Sequence, residues 1–146
     1  MKSLNNFIQE KLKVNSNTKV SKNNTVNRDH ISDLVDTLFN SSEHSGFRKG
    51  TDTEIIEVEN LKKRFNDYYE SDANDIPDEF YNTIKDNAGK EVVCVFGVGY
   101  DGTWASVVFM STNPYIFIVV RNGEISDICQ EEDEEEAADK ILNFCE

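Results

Sequence analysis

The feature that most constrains this chain is a series of four β-strand patterns joined by very short connections in its C-terminal half. Asp101-Gly102 and Asn122-Gly123 form two of the connections, and residues 111–114 form the third. Asp-Gly and Asn-Gly favour type I′ turns, because both central residues of such a turn have positive φ. Connections this short join antiparallel neighbours. The sequence therefore predicts a four-stranded antiparallel meander, with strands at residues 91–100, 103–110, 115–121 and 124–129.

Helical patterns precede the predicted meander. A first helix starts at an N-cap, either Asp29 or Ser32, and a polar loop over residues 40–53 follows it. A second helix covers about residues 56–70, and a short third helix has Pro77 near its first turn. The apolar stripe of the first helix is predicted to consist of Ile31, Leu34, Val35, Leu38 and Phe39.

A last helix follows the meander and opens on the acidic run from Glu131 to Glu136, where negative charge favours the helix dipole. Its predicted inward-facing residues are Ala137, Ala138, Ile141, Leu142 and Cys145. The strands are apolar in both alternations, so we expect helices to cover one face of the sheet and part of the other. The predicted fold class is α+β, with N-terminal helices followed by a four-stranded antiparallel meander and a C-terminal helix.

Charge divides the chain into two predicted regions. Residues 1–28 contain six Lys and Arg against one acid, and residues 29–146 contain nine against 27, which gives net charges of +5 and −18. We predict an amphipathic start with a flexible basic linker over 1–28, and an acidic α+β domain over 29–146. The acidic domain repels nucleic acids and anionic membranes and favours a protein partner with a basic surface.

Cysteine usage and hydropathy indicate the compartment. Cys94, Cys129 and Cys145 are odd in number and widely spaced, which favours free thiols in a reducing environment over disulfides or structural zinc. The sequence contains no apolar run as long as a membrane span of about 18 or more residues. We therefore expect the protein in a cytoplasm.

Three patterns suggest chemistry, and each has a simpler interpretation. Residues 97–102 match the GxGxxG pattern of dinucleotide-binding sites. Such a site requires a helix directly after the glycines, but the residues from Thr103 onward are typical of a strand. His30 and His44 have no neighbouring nucleophile or second ligand in sequence. Residues 72–79 are acidic but break the ligand spacing of a calcium loop. The sequence therefore predicts no catalytic, metal-binding or cofactor-binding residue, no cofactor and no enzyme activity.

Aromatic residues near the hairpin ends provide one candidate binding surface. Tyr100, Trp104 and Tyr115 lie close to the ends of the predicted strands. Aromatics there usually belong to the edge of the core, and they are also frequent in protein interfaces. The core interpretation is favoured, but with an acidic surface around them these residues are the candidate partner-binding rim.

The N-terminus has a pattern of its own. Leu4, Phe7, Ile8 and Leu12 recur at helical spacing. The first ten residues, through the matching positions Met1, Lys2, Phe7, Ile8 and Glu10, resemble the capsid-targeting peptide of internal head proteins of T-even-type tailed bacteriophages. The resemblance implies binding to phage scaffold or capsid and cleavage after Glu10 by a prohead protease. The alternative is an amphipathic segment that docks on this chain's own core or on a partner.

Three functions remain open from the sequence. The first is a non-enzymatic phage accessory protein, packaged in or associated with the virion, whose acidic domain binds another protein. Proteins of the resembled family tend to be basic, so the acidic body favours a packaged effector over a DNA-condensing protein. The second is an acidic inhibitor of the anti-defence or immunity type that blocks a basic site on its target. The third is a small enzyme with an unrecognised site.

Overall fold

A computed structural model describes residues 26–40, 46–99 and 102–145. It shows an α+β domain built on an antiparallel sheet, which confirms the predicted fold class. The strands are β1 Gly50–Glu57, β2 Glu91–Val98, β3 Trp104–Thr112, β4 Tyr115–Arg121, β5 Glu124–Ile125 and β6 Cys129–Glu131. The helices are α1 Ser32–Phe39, α2 Leu61–Tyr69, α3 Asp78–Asn87 and α4 Glu134–Phe144, with 3₁₀ segments at Arg28–Ile31, Val58–Asn60 and Glu70–Asp75. The predicted targeting segment, His44 and Tyr100 lie outside the described residues.

Within the described ranges the sheet has six strands where the sequence predicted four. Its order is β1-β2-β3-β4-β5, and β6 also pairs with β4. The predicted fourth strand over 124–129 is wrong, because its residues are divided between β5 and β6. Val119 N–H donates to Ser126 Oγ over 2.9 Å, so a side chain replaces a backbone carbonyl at this point of the ladder.

The largest correction concerns β1. Residues 40–53 were predicted to be a loop and a helix to start near residue 56, but Gly50–Glu57 is a regular strand and α2 starts at Leu61. Only Ile56 of this strand is buried. A strand at a sheet edge needs few apolar residues. The polar composition of β1 therefore resembles that of a loop, which is why the sequence predicted a loop here. Thr51, Thr53 and Ile55 are the β-branched residues that indicate a strand.

The predicted turns can be compared with the structure at their described residues. Asn122 and Gly123 have φ values of 48° and 92°, which confirms the positive φ at both central residues of the β4–β5 turn. Gly97 lies in β2, and Gly102 has a φ of 85° and precedes β3, so a strand follows the GxGxxG pattern. The predicted N-cap of the first helix is wrong, since the side chain of Asn27 caps the preceding 3₁₀ segment by accepting from Asp29 N–H.

Helices cover both faces of the sheet, which is more than the sequence predicted. The α2/α3 face, packed against α2 and α3, buries a core that includes Phe65, Phe80, Phe96, Val108 and Ile118. The α1/α4 face, packed against α1 and α4, buries a second core that includes Leu34, Leu38, Phe109, Phe117 and Ile141. Alternate residues of β2, β3 and β4 contribute to each core, because side chains of a strand point to opposite faces in turn.

The predicted last helix agrees well with α4. Its N-cap is Asp133, whose carboxylate accepts from Glu136 N–H over 3.1 Å. Four of its predicted inward residues are buried and Leu142 is partly buried, as the pattern required. The helix thus uses its acidic first turn for capping and dipole stabilisation.

Candidate functional site

The β1 edge, defined as strand Gly50–Glu57, is one border of the sheet. Every residue of β1 has a partner on β2, and no described residue pairs with the opposite side of β1. Val58 N–H donates to Lys90 C=O over 2.9 Å. Because hydrogen bonding alternates along an antiparallel pair, this bond directs the backbone groups of Thr51, Thr53, Ile55 and Glu57 away from β2. The edge therefore presents a row of N–H and C=O groups to a further strand.

The β1 edge also exposes apolar surface. Ile55 is 47% exposed, which makes it the more exposed of the two large apolar side chains that the described part of the chain leaves open. It pairs with buried Val93 and lies on the α1/α4 face. A long strand edge with an exposed Ile is a site that proteins usually protect, since it favours association with another chain.

Contacts with α2 fix the opposite face of β1. Arg64 donates to both carboxylate oxygens of Glu54, with a distance of 2.7 Å from Nε to Oε1. This hydrogen bond raises the pKa of Arg64, so the pair stays charged. Tyr68 Oη donates to Asp52 over 2.9 Å, and burial followed by this bond raises the pKa of Tyr68 to about 12. A neutral phenol leaves the charge of Asp52 uncompensated.

The described surface as a whole keeps most of its negative charge. Four ion pairs join described residues, and they use the carboxylates of Glu54, Glu57, Asp78 and Glu131. The other carboxylates of the described ranges have no Lys or Arg partner there. The acidic field predicted from the sequence is therefore available to a cationic partner.

The structure does not bring the predicted aromatic rim together. Trp104 is 5% exposed and packs on the α2/α3 face, with its ring centroid 4.8 Å from that of Tyr69. Tyr115 is 9% exposed and lies on the α1/α4 face, where its hydroxyl donates to His30 C=O over 3.0 Å. Both residues therefore pack as edges of two different cores, and the favoured core interpretation describes them.

Three buried polar side chains in or beside the sheet, those of Tyr69, Cys94 and Ser106, make structural contacts. Tyr69 Oη accepts from Gly97 N–H over 3.0 Å and lies 3.0 Å from Ala105 C=O. Burial raises the pKa of the Cys94 thiol well above its usual value, and Ser106 Oγ lies 3.4 Å from its sulfur. A buried, protonated thiol is a poor nucleophile. These residues support the fold rather than a reaction.

Within the described ranges, no three His, Cys, Asp or Glu residues are grouped so that they could hold a metal ion. None of the described helices is long and apolar enough to cross a membrane. The chain matches no protein-family model, and comparison with curated proteins and with solved structures finds no match. Function is therefore argued from the geometry, in which the β1 edge is the exposed feature that the sequence did not predict.

Proposed function

We propose that this chain is a non-enzymatic accessory protein of a bacteriophage whose acidic domain binds another protein by adding an extended segment of that partner to the β1 edge. The observation that carries the proposal is the outer side of β1, with which no described residue pairs, and exposed Ile55 beside it. An added strand gains main-chain hydrogen bonds along the edge, and its alternate side chains contact the neighbouring surface.

Charge selects the partner. The edge belongs to a body with 27 acids against nine Lys and Arg over residues 29–146, and Asp52 on β1 has no cationic partner among the described residues. The same charge opposes pairing of two copies through their β1 edges. An extended segment rich in Lys or Arg, with apolar residues in alternate positions for Ile55, fits this surface.

The defined probe is a short peptide in which Lys alternates with Val, and its control is the same peptide with every backbone nitrogen methylated. We expect only the unmethylated peptide to bind in isothermal titration calorimetry, because methylation removes the N–H donors but keeps the charge.

Thr53→Pro removes an outward N–H at a position where an edge strand tolerates proline, and Thr53→Val keeps that N–H. We expect Thr53→Pro to weaken binding by at least about tenfold, or about 1.4 kcal/mol, with Thr53→Val unchanged.

The two controls, the methylated peptide and the Thr53 variants, also distinguish the proposed function from that of an acidic inhibitor. If the peptide binds Thr53→Pro as tightly as Thr53→Val, and methylation has no effect, the β1 edge is not the site. Binding that then falls steeply with salt would favour recognition by charge alone. Circular dichroism of both variants excludes unfolding as the cause of a lost signal.

Delivery to the phage head is the second part of the proposal and rests on the resemblance of residues 1–10. In T-even-type virions assembled in cells that express this chain, we expect mass spectrometry to detect a product that begins at Lys11. Glu10→Gln should be packaged uncut, because the proposed cleavage follows Glu10, and a chain without residues 1–10 should be excluded. Absence of the chain from purified heads in both cut and uncut forms would contradict this part and leave the β1 test unaffected.

A further inference from the structure

A cleft of about 690 Å³ lies on the border of the α2/α3 face, at the C-terminal end of β1. The turn before α2 and the start of α2 form one wall, α3 forms another, and the connection from α3 to β2 closes the third side. Val58, Leu61, Ala88 and the ring of Tyr81 supply apolar surface. This volume is in the range of small-molecule sites in proteins.

This cleft is lined by more cationic than anionic side chains, whereas the domain as a whole is acidic. Lys62, Lys85 and Lys90 line it, against Glu57 and Glu59 as the lining acids. In residues 29–146 as a whole, acids outnumber Lys and Arg threefold, and three of the nine cations are placed here. We name this feature the lysine cleft.

The ammonium groups of the lysine cleft are available to a ligand. Lys85 forms no ion pair with a described residue. Lys62 Nζ lies 3.3 Å from Asp78, and both side chains are largely exposed. Lys90 Nζ lies 3.7 Å from Glu57 and is 85% exposed. Exposed pairs of this kind contribute little to stability, so an incoming anion can replace either carboxylate.

Tyr81 adds an aromatic surface and an unused donor. Lys62 Nζ lies 5.6 Å from the centroid of the Tyr81 ring, which places a cation over the apolar wall. Burial raises the pKa of Tyr81 to about 12, so its hydroxyl remains protonated. That hydroxyl is shielded from solvent and has no hydrogen-bond partner among the described residues. A buried donor without an acceptor is costly.

From this geometry we infer that the lysine cleft binds a small organic anion, with its carboxylate, sulfonate or phosphate group at the three lysines and a flat apolar body against Leu61, Ala88 and the Tyr81 ring. The two sites meet at Glu57, but the inference is tested separately from the proposed function, because the anion is placed at three lysines outside β1 and the peptide at the outward backbone groups around Thr53.

The test uses two fluorescent probes that differ only in charge. The anion 8-anilinonaphthalene-1-sulfonate carries a sulfonate on the aromatic skeleton of neutral N-phenyl-1-naphthylamine. The cleft variant combines Lys62→Gln, Lys85→Gln and Lys90→Gln. The control variant loses the same charge elsewhere through Lys49→Gln, Lys63→Gln and Lys140→Gln, which do not line the cleft.

We expect the full chain to bind the anionic probe and the cleft variant to bind it at least about tenfold more weakly, or about 1.4 kcal/mol. The control variant should stay within about twofold of the unmodified chain, since its net charge equals that of the cleft variant. Amide chemical-shift changes should centre on residues 58–62 and 81–90. Equal binding to both variants, equal binding of the neutral probe, or shift changes centred elsewhere would overturn the inference. Thermal unfolding of each variant identifies probe binding that reflects loss of structure.

Discussion

Replacing Phe65 with Ala will lower the free energy of unfolding by about 3–5 kcal/mol. Phe65 is completely buried on α2 and joins the aromatic cluster of the α2/α3 face. Its ring centroid lies 5.1 Å from that of Phe96 on the sheet and 5.6 Å from that of Phe80 on α3. Tyr69 and Tyr81 contact the same ring, each at 5.9 Å. Truncation therefore opens a cavity between sheet and helices that no single neighbour can fill.

Urea denaturation measures this loss, and Phe39→Ala is the matched control. Phe39 is 40% exposed at the end of α1, so the same change there should alter stability by no more than about 0.5 kcal/mol. If Phe65→Ala does not fold, Phe65→Leu, which keeps much of the volume, should fold with an intermediate loss. Equal effects at Phe65 and Phe39 would contradict the packing described for the α2/α3 face.

The second large effect is expected at Gly97. A Cβ at this position would lie 2.3 Å from Cδ1 of Phe47 and 2.6 Å from the carbonyl oxygen of Gly46. Phe47 is completely buried on the α1/α4 face, and the chain segment that carries it approaches β2 too closely for any side chain. Gly97→Ala should therefore destabilise the domain by about 1–3 kcal/mol or more, the usual cost of overpacking.

Gly50→Ala provides the control for Gly97→Ala. Gly50 lies on the same sheet, and a Cβ there would meet nothing within 4 Å. Its unfolding free energy should stay within about 0.5 kcal/mol of the unmodified value. A further check is Gly97→Ala combined with Phe47→Ala: removing the ring should recover part of the added strain, whereas additive losses would show that the Phe47 ring is not the cause.

Strands β2, β3 and β4 of the meander and helix α4 could be predicted because local chemistry decides them. Asn122-Gly123 favours its turn almost regardless of the rest of the chain, and the period of Ala137, Ile141 and Cys145 identifies the buried side of α4. The β1 strand could not be predicted in this way. Residues 50–57 form a strand because they pair with β2. With one buried residue in eight, their sequence has little of the alternation between apolar and polar residues that identifies a strand.

The two described residues of the aromatic rim, Trp104 and Tyr115, lie on different faces of the sheet. Trp104 and Tyr115 are near the ends of adjacent strands, so proximity in sequence suggested one surface. Trp104 alternates with Val108 along β3 and lies on the α2/α3 face, whereas Tyr115 alternates with Phe117 along β4 and lies on the α1/α4 face. The two residues also lie at opposite ends of the β3–β4 pair, because Trp104 begins β3 and Tyr115 pairs with Thr112 at its end. Face and position both depend on the register between the strands, which residue types near the strand ends do not specify.

Neither candidate surface could be located from sequence. The β1 edge is defined by the order of strands in the sheet, which the turn chemistry of later strands does not determine. The lysine cleft joins Lys62 with Lys85 and Lys90 across more than twenty residues, through the packing of α2 against α3. The overall charge asymmetry was visible at once, but its local reversal at the cleft depends on tertiary contacts.

The layer made by α1 and α4 has a consequence for synthesis on the ribosome. These helices are the first and last of the described domain and contact each other on one face of the sheet. Until α4 has left the exit tunnel, Val107, Phe109, Phe117 and Val119 lack half of their cover. The α2/α3 face can close earlier, because its helices precede the strands they cover. A nascent chain or C-terminally clipped product would therefore display a bare apolar sheet, the kind of surface that chaperones and proteases recognise.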